Sequence, residues 1–206
     1  MKKTLLLILT SLVLFAGCSK NEENLVPDDE TPGVLTFITR DSPVGTIGML
    51  DGVEGIVVEL PAIKKGDTDY YWKASKDYPA KKVVIATKNV GDSSPEDAKT
   101  LARVDEIYYK YRNATAWRLP HVEELFGLAN IKDVTWTDIG CRWTIGNSAL
   151  FLHVGYYVSD SEGGNVQFED KIYGLQLPNI GQKCNTYSLS PSSLGFARLF
   201  HDMPEH

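Results

Sequence analysis

From residue 34 onward, short β-branched and aromatic runs alternate with breaks of Gly, Pro, Asp and Asn. Runs over 34–39, 55–60 and 81–87 are bounded in this way and predict strands, with a turn-rich loop tip at 64–69 between the second and third. The pattern then changes period. Ser94 offers an N-cap, Pro95 a first helical position, and Glu96 and Asp97 the acids of a first turn. Ala98, Leu101, Val104, Tyr108 and Tyr111 follow at steps of three or four, and Lys110 and Arg112 stand where the C-terminal dipole favours cations, so a helix is predicted here. A shorter helix is predicted after Pro120, burying Val122, Leu125, Phe126 and Ala129. Period two then returns over 134–137, 142–144, 149–152, 155–158, 171–177 and 196–200. Two helices between an early and a late set of strands predict an α+β domain over 34–206.

Ahead of that domain the texture differs. Lys2 and Lys3 precede an apolar run from Leu5 to Phe15, with small residues after it, which is the layout of an export signal over 1–17. The run is shorter than the roughly 20 residues a membrane helix needs. Phe15-Ala16-Gly17-Cys18 resembles the lipobox of bacterial lipoproteins, whose cysteine is acylated and becomes the first residue of the mature chain. Cleavage there removes Lys2 and Lys3 and takes the formal net charge from −6 to −8. Residues 18–33 are polar, acidic and Pro-bearing, hence a flexible tether. Lys20 followed by Glu22 and Glu23 is similar to surface-export signals of Bacteroidota lipoproteins. The expected location is the cell envelope, lipid-anchored at the outer membrane and exposed at its surface. An acidic chain lacks the surplus of Lys and Arg that phosphate binding needs, so no nucleic-acid partner is expected.

Several motifs fall in a familiar order. Ile85-Ala86-Thr87-Lys88-Asn89-Val90-Gly91 precedes Ser94-Pro95-Glu96-Asp97; Trp117-Arg118-Leu119-Pro120 precedes Glu123-Glu124-Leu125; Gly146-Asn147-Ser148, Phe151-Leu152 and Tyr156-Tyr157 lie in the late strands; Phe196-Ala197-Arg198 is near the end. This order resembles the Fibrobacter succinogenes major paralogous domain of secreted Bacteroidota proteins, over residues 83–200. The resemblance implies a C-type-lectin-like fold, in which two helices flank a small antiparallel sheet and long loops carry whatever is bound. It implies no catalytic residues. His121 and His153 depart from the family's usual Thr and Pro.

The candidate chemistry is sparse. The histidines show no HxxxH or HExxH spacing, and Cys141 and Cys184 form no CxxC, so no zinc site is expected. Gln176-Leu177-Pro178-Asn179 interrupts the string a lectin-type calcium loop would need, and no metal or other cofactor is expected. No nucleophile elbow frames any serine, and the protein is not expected to be an enzyme. In an exported chain Cys141 and Cys184 can pair as a disulfide, or stay as two buried thiols. Tyr71, Trp72 and Tyr187 lie near predicted loops, and Arg118 beside Trp117 can stack on a sugar or clasp a carboxylate; ordinary core packing competes for each. The expected role is non-catalytic binding of a glycan or envelope protein through loops between residues 138 and 193 and near Tyr71. The alternative is a structural subunit of a surface assembly.

Overall fold

A computed structural model of the chain describes residues 36–69, 72–90, 99–100, 109–112, 114–138, 140–153, 155–162, 172–178, 182–189 and 194–205. The export signal, Cys18, the tether and Tyr71 lie outside them. Residues 35–206 belong to one compact unit.

The central layer is a four-stranded antiparallel sheet in the order β1–β2–β3–β12, from β1 (Ile47–Leu50), β2 (Val53–Leu60), β3 (Lys81–Ala86) and β12 (Phe200–Asp202). Strands β2 and β3 read as continuous apolar runs because both faces of this sheet are covered. Ile56, Val58, Leu60, Val83 and Ile85 belong to one core, while Val57, Val84 and Ala86 belong to a second with Trp117, Leu119 and Leu199. Gly55 is required where the second core crosses the sheet: a Cβ there would stand 2.5 Å from a methyl of Val84 and 3.0 Å from the Trp117 ring. The outer edge of β1 takes a short parallel bridge from Phe37 to Met49.

Two three-stranded antiparallel sheets follow. One has the order β5 (Val134–Thr137), β6 (Gly140–Ile145), β7 (Ser148–Leu152); the other runs β8 (Gly155–Glu162), β9 (Ile172–Leu177), β10 (Asn185–Leu189), with β9 in the middle. The helix α1 (Val122–Ala129) packs against β2, β8, β9 and β10. It buries Val122, Leu125 and Phe126 as the pattern predicted, with Ala129 partly buried. Its first turn is closed without a local side-chain cap from residue 121: the Ser161 hydroxyl of β8 accepts the Val122 N–H at 3.2 Å.

The expected arrangement of two helices flanking one small sheet, with its C-type-lectin-like architecture, is not what forms. The described residues are predominantly β, in three antiparallel sheets plus a two-residue pairing of β4 (Lys99–Thr100) with β11 (Leu194–Gly195). Beside α1 they hold only a helical turn at 109–111. The predicted first helix was to run through Lys99 and Thr100. A cap and an apolar stripe are local preferences of a few tenths of a kcal/mol per residue, and β11 offers those two residues cross-strand partners instead. The other residues of that predicted helix up to Tyr108, except Lys99 and Thr100, lie outside the described residues.

Candidate functional site

The motifs most legible in the sequence turn out to be internal braces. Arg118 is 7% exposed and its guanidinium meets the Glu124 carboxylate on two parallel bonds, both 2.8 Å, while its Nη2 also reaches Asp202 at 2.9 Å. Lys81 adds a second cation to Glu124 at 2.5 Å. Burial works to raise the Glu124 carboxyl, but the hydrogen bonds and charge of Arg118, with those of Lys81, prevail and hold it down at about 2. Burial likewise opposes the charge on Arg118, and Glu124 and Asp202 overcome it. The second oxygen of Glu124 also accepts the His121 N–H at 2.7 Å. A hollow of about 90 Å3 beside this network is lined by Leu60, Pro61, Ile63, Tyr78, Lys81 and Glu124, yet its two central charges already hold each other. Trp117 is core, donating its indole N–H to the Leu50 carbonyl at 2.9 Å.

The other motif pair forms a second brace. Arg198 is 4% exposed, donating to the Asn89 side chain at 2.7 Å, to the carbonyls of Ala86 and Thr87 at 2.9 and 2.7 Å, and to that of Phe151 at 3.1 Å. It ties the end of β3 to β7. The Ala86-Thr87-Lys88-Asn89 string is thus a carbonyl cradle for a buried cation.

Trp72 is also withdrawn from the surface. Its ring packs on Phe126 (centroids 4.9 Å apart) and Tyr78 (6.1 Å) in a small core under the 64–78 loop, and it is 8% exposed. That loop is fastened to β10 through Asp69, whose carboxylate accepts both the N–H and the hydroxyl of Thr186.

Tyr187 is placed differently. The register of the β8–β9–β10 sheet sets Tyr156 opposite Gln176 and Gln176 opposite Asn185; Tyr187 lies two residues along, opposite Gly174. Alternation puts Tyr156, Gln176, Asn185 and Tyr187 on one face, while Tyr157, Leu175, Leu177 and Thr186 fill the core on the other. The two rings meet edge to face, 6.1 Å between centroids at 69°. Gln176 donates to the Tyr156 hydroxyl at 3.2 Å, and Asn185 donates to the Lys183 carbonyl at 3.2 Å. All four residues are half-buried, and the two tyrosines pack on the second core. Gly174, itself buried, stands between Tyr187 on one side and the fully buried Val158 on the other.

So the sequence-predicted residues are not gathered into one site. Arg118 and Trp72 are structural, Tyr71 lies outside the described residues, and Tyr187 stands on a surface with Tyr156, Gln176 and Asn185, which the sequence reading had not joined to it. The missing signal was the strand pairing: only the register shows that these four share a face. Cys141 and Cys184 come together and are present as free thiols. Among the described residues no group of three or more His, Cys, Asp or Glu could hold a metal ion, and no helix is long and apolar enough to cross a membrane. Searches against protein-family models, curated proteins and solved structures each returned no match to this chain.

Proposed function

We propose that this protein is a non-catalytic cell-envelope lipoprotein, anchored at the outer membrane through Cys18, that binds a glycan on the Tyr156–Gln176–Asn185–Tyr187 face. The observation that carries the reading is the company these side chains keep. Two tyrosine rings supply apolar faces for the C–H side of a sugar, and two amides supply the donor and acceptor pairs that its hydroxyls need. The ionic clusters elsewhere are closed upon themselves and offer a ligand little, whereas this face sets two half-buried rings beside two half-buried amides.

The test is a glycan array on the soluble portion, residues 19–206, with Tyr187→Ala and Tyr156→Ala beside it. A related set of glycans should be retained by the parent protein and weakened about tenfold in each variant, the equivalent of one lost ring contact. An array with no reproducible binding would end this reading, as would variants that bind like the parent. A specific observation favours the alternative of a structural subunit: Phe37 is 67% and Ile47 42% exposed, both along the outer margin of β1. Retention of an envelope protein that Phe37→Ser abolishes would move the weight there.

A further inference from the structure

Cys141 and Cys184 are 43 residues apart; the first lies in β6 and the second just before β10, in different parts of the fold. Cys141 sits in the middle strand of the first three-stranded sheet, between Trp136 on β5 and Leu152 on β7, and is fully buried. Cys184 immediately precedes β10, is half-buried, and packs on the same core that contains Cys141. The two thiols lie close enough across this core for each to shift the other's titration. Two thiols packed on one core, with no third ligand to make a metal site among the described residues, are the arrangement from which a disulfide across that core forms.

We propose that Cys141 and Cys184 are oxidised to a disulfide in the exported protein, and that this bond fixes the edge strand β10, with Asn185 and Tyr187, to β6. It rests on the export reading of the first seventeen residues and not on what the tyrosine face binds. The oxidant is a protein or small-molecule disulfide of an oxidising compartment. The two cysteines are not equivalent. Burial pushes the Cys141 thiol up, while the hydrogen bond from Cys141 lowers Cys184, which is also the more exposed. Cys184 therefore loses its proton first. Its thiolate attacks one sulfur of the oxidant, forms a mixed disulfide and expels the oxidant's other sulfur as a thiolate. Cys141 then gives up its proton and attacks Sγ of Cys184, expelling the second thiolate. One disulfide is made and one consumed; two electrons pass to the oxidant and two protons are released.

Strand β10 has reason to need such a bond. It is the edge of its sheet, held by β9 on one side and on the other by the Asp69 carboxylate at Thr186. The cross-link would enter one residue before it begins.

The experiment uses the 19–206 protein secreted into an oxidising compartment, which carries these two cysteines and no other. Its intact mass should be two hydrogens below that of the dithiol, and neither cysteine should alkylate after denaturation until reductant is added. Amide exchange over residues 185–189 should then be several-fold faster in the reduced protein than in the oxidised one. Free alkylation of both thiols in unreduced, denatured protein would overturn the proposal. A bond whose reduction leaves exchange along β10 unchanged would overturn the claim that it fixes the strand. Neither readout involves a glycan, so a failed glycan array leaves the test standing.

Discussion

The Arg118 brace and the tyrosine face on β8–β10 are both built from polar groups laid against packed side chains, and they differ in where the polar valence ends. In the brace, Arg118, Lys81, Glu124 and Asp202 satisfy one another: the buried carboxylate takes two cations and a backbone N–H. Little is left for a ligand. On the tyrosine face, Tyr156, Gln176, Asn185 and Tyr187 are half-buried; Gln176 donates to the Tyr156 hydroxyl and Asn185 to the Lys183 carbonyl, which uses part of the hydrogen-bonding capacity of each amide. A buried ion network specifies how elements dock; a partly satisfied surface is where a second molecule gains by completing the bonds. The comparison separates holding the fold from using it.

The sharpest way to break that contrast is to remove one partner from the brace. Glu124→Gln leaves Arg118 buried with a neutral partner, and Arg118→Met leaves Glu124 with only Lys81. Each should cost about 3–5 kcal/mol, the range for a buried pair deprived of one charge, read as a fall in the urea midpoint. Glycan binding by the fraction still folded should be unchanged. If Glu124→Gln instead abolishes binding at unchanged stability, the two regions are not separate.

Acid attacks the same brace without a mutation. Glu124 titrates below its ordinary value in the folded chain, so its contribution is fully present above the unfolded value of about 4.5 and is lost as pH falls toward the folded value of about 2. The loss over that window is on the order of 3 kcal/mol. Stability of Glu124→Gln should fall less steeply there, and parallel acid curves for variant and parent would refute the assignment.

These two regions also show how far the sequence could be read. The order Trp117-Arg118-Leu119-Pro120 with Glu124 was legible as a motif, and its structural role was among the readings weighed. The partners were not legible: Lys81 and Asp202 come from β3 and β12, and no local pattern announces a contact across 84 residues. Strands β2, β3 and β5 to β9 were legible because their apolar runs are bounded by turn residues. β1 carried a signal that went unread. Asp51-Gly52 adopts positive φ at both residues, +46° and +79°, which is hairpin-turn chemistry between Leu50 and Val53. β10 was hidden by composition, since Asn-Thr-Tyr-Ser-Leu is polar enough to pass for loop; what makes it a strand is the exposed edge of β9 and the anchor at Asp69. Helical periodicity around Lys99 misled for the converse reason, because tertiary pairing with β11 is invisible to a local window.

A smaller effect sharpens the contrast from the other side. Tyr187→Ala and Tyr156→Ala should weaken glycan binding by about 1–1.5 kcal/mol each. Stability should suffer less than in the brace variants, because each ring is half-exposed and lies at the margin of its core. Gln176→Ala should weaken binding with even less effect on stability, since it removes an amide and the contact to the Tyr156 hydroxyl but no ring. Equal losses of stability in Tyr187→Ala and Glu124→Gln would show that the tyrosine face is core by another name.

The smallest expected effect lies where the brace meets the solvent. His121 Nδ1 stands 2.5 Å from the Asp160 carboxylate, with the imidazole 41% exposed. The hydrogen bond to Asp160 raises its pKa; burial works against this, the charges of Asp160 and Glu124 add to it, and Arg118 opposes it. A histidine raised by folding contributes stability below its unfolded value, and that contribution is lost as pH climbs through the raised folded value. The parent should therefore lose a little stability as pH rises above the unfolded value of about 6.5, no more than about 1 kcal/mol for a pair this exposed. Glu124 stays ionised across that range, so the brace does not contribute to the slope. His121→Gln keeps a polar side chain at the helix entrance and removes the titration. Its urea midpoint should be flatter over the same range. Identical slopes would mean that His121 and Asp160 do not hold each other in solution, leaving the Ser161 hydroxyl and the Glu124 carboxylate to close this end of α1.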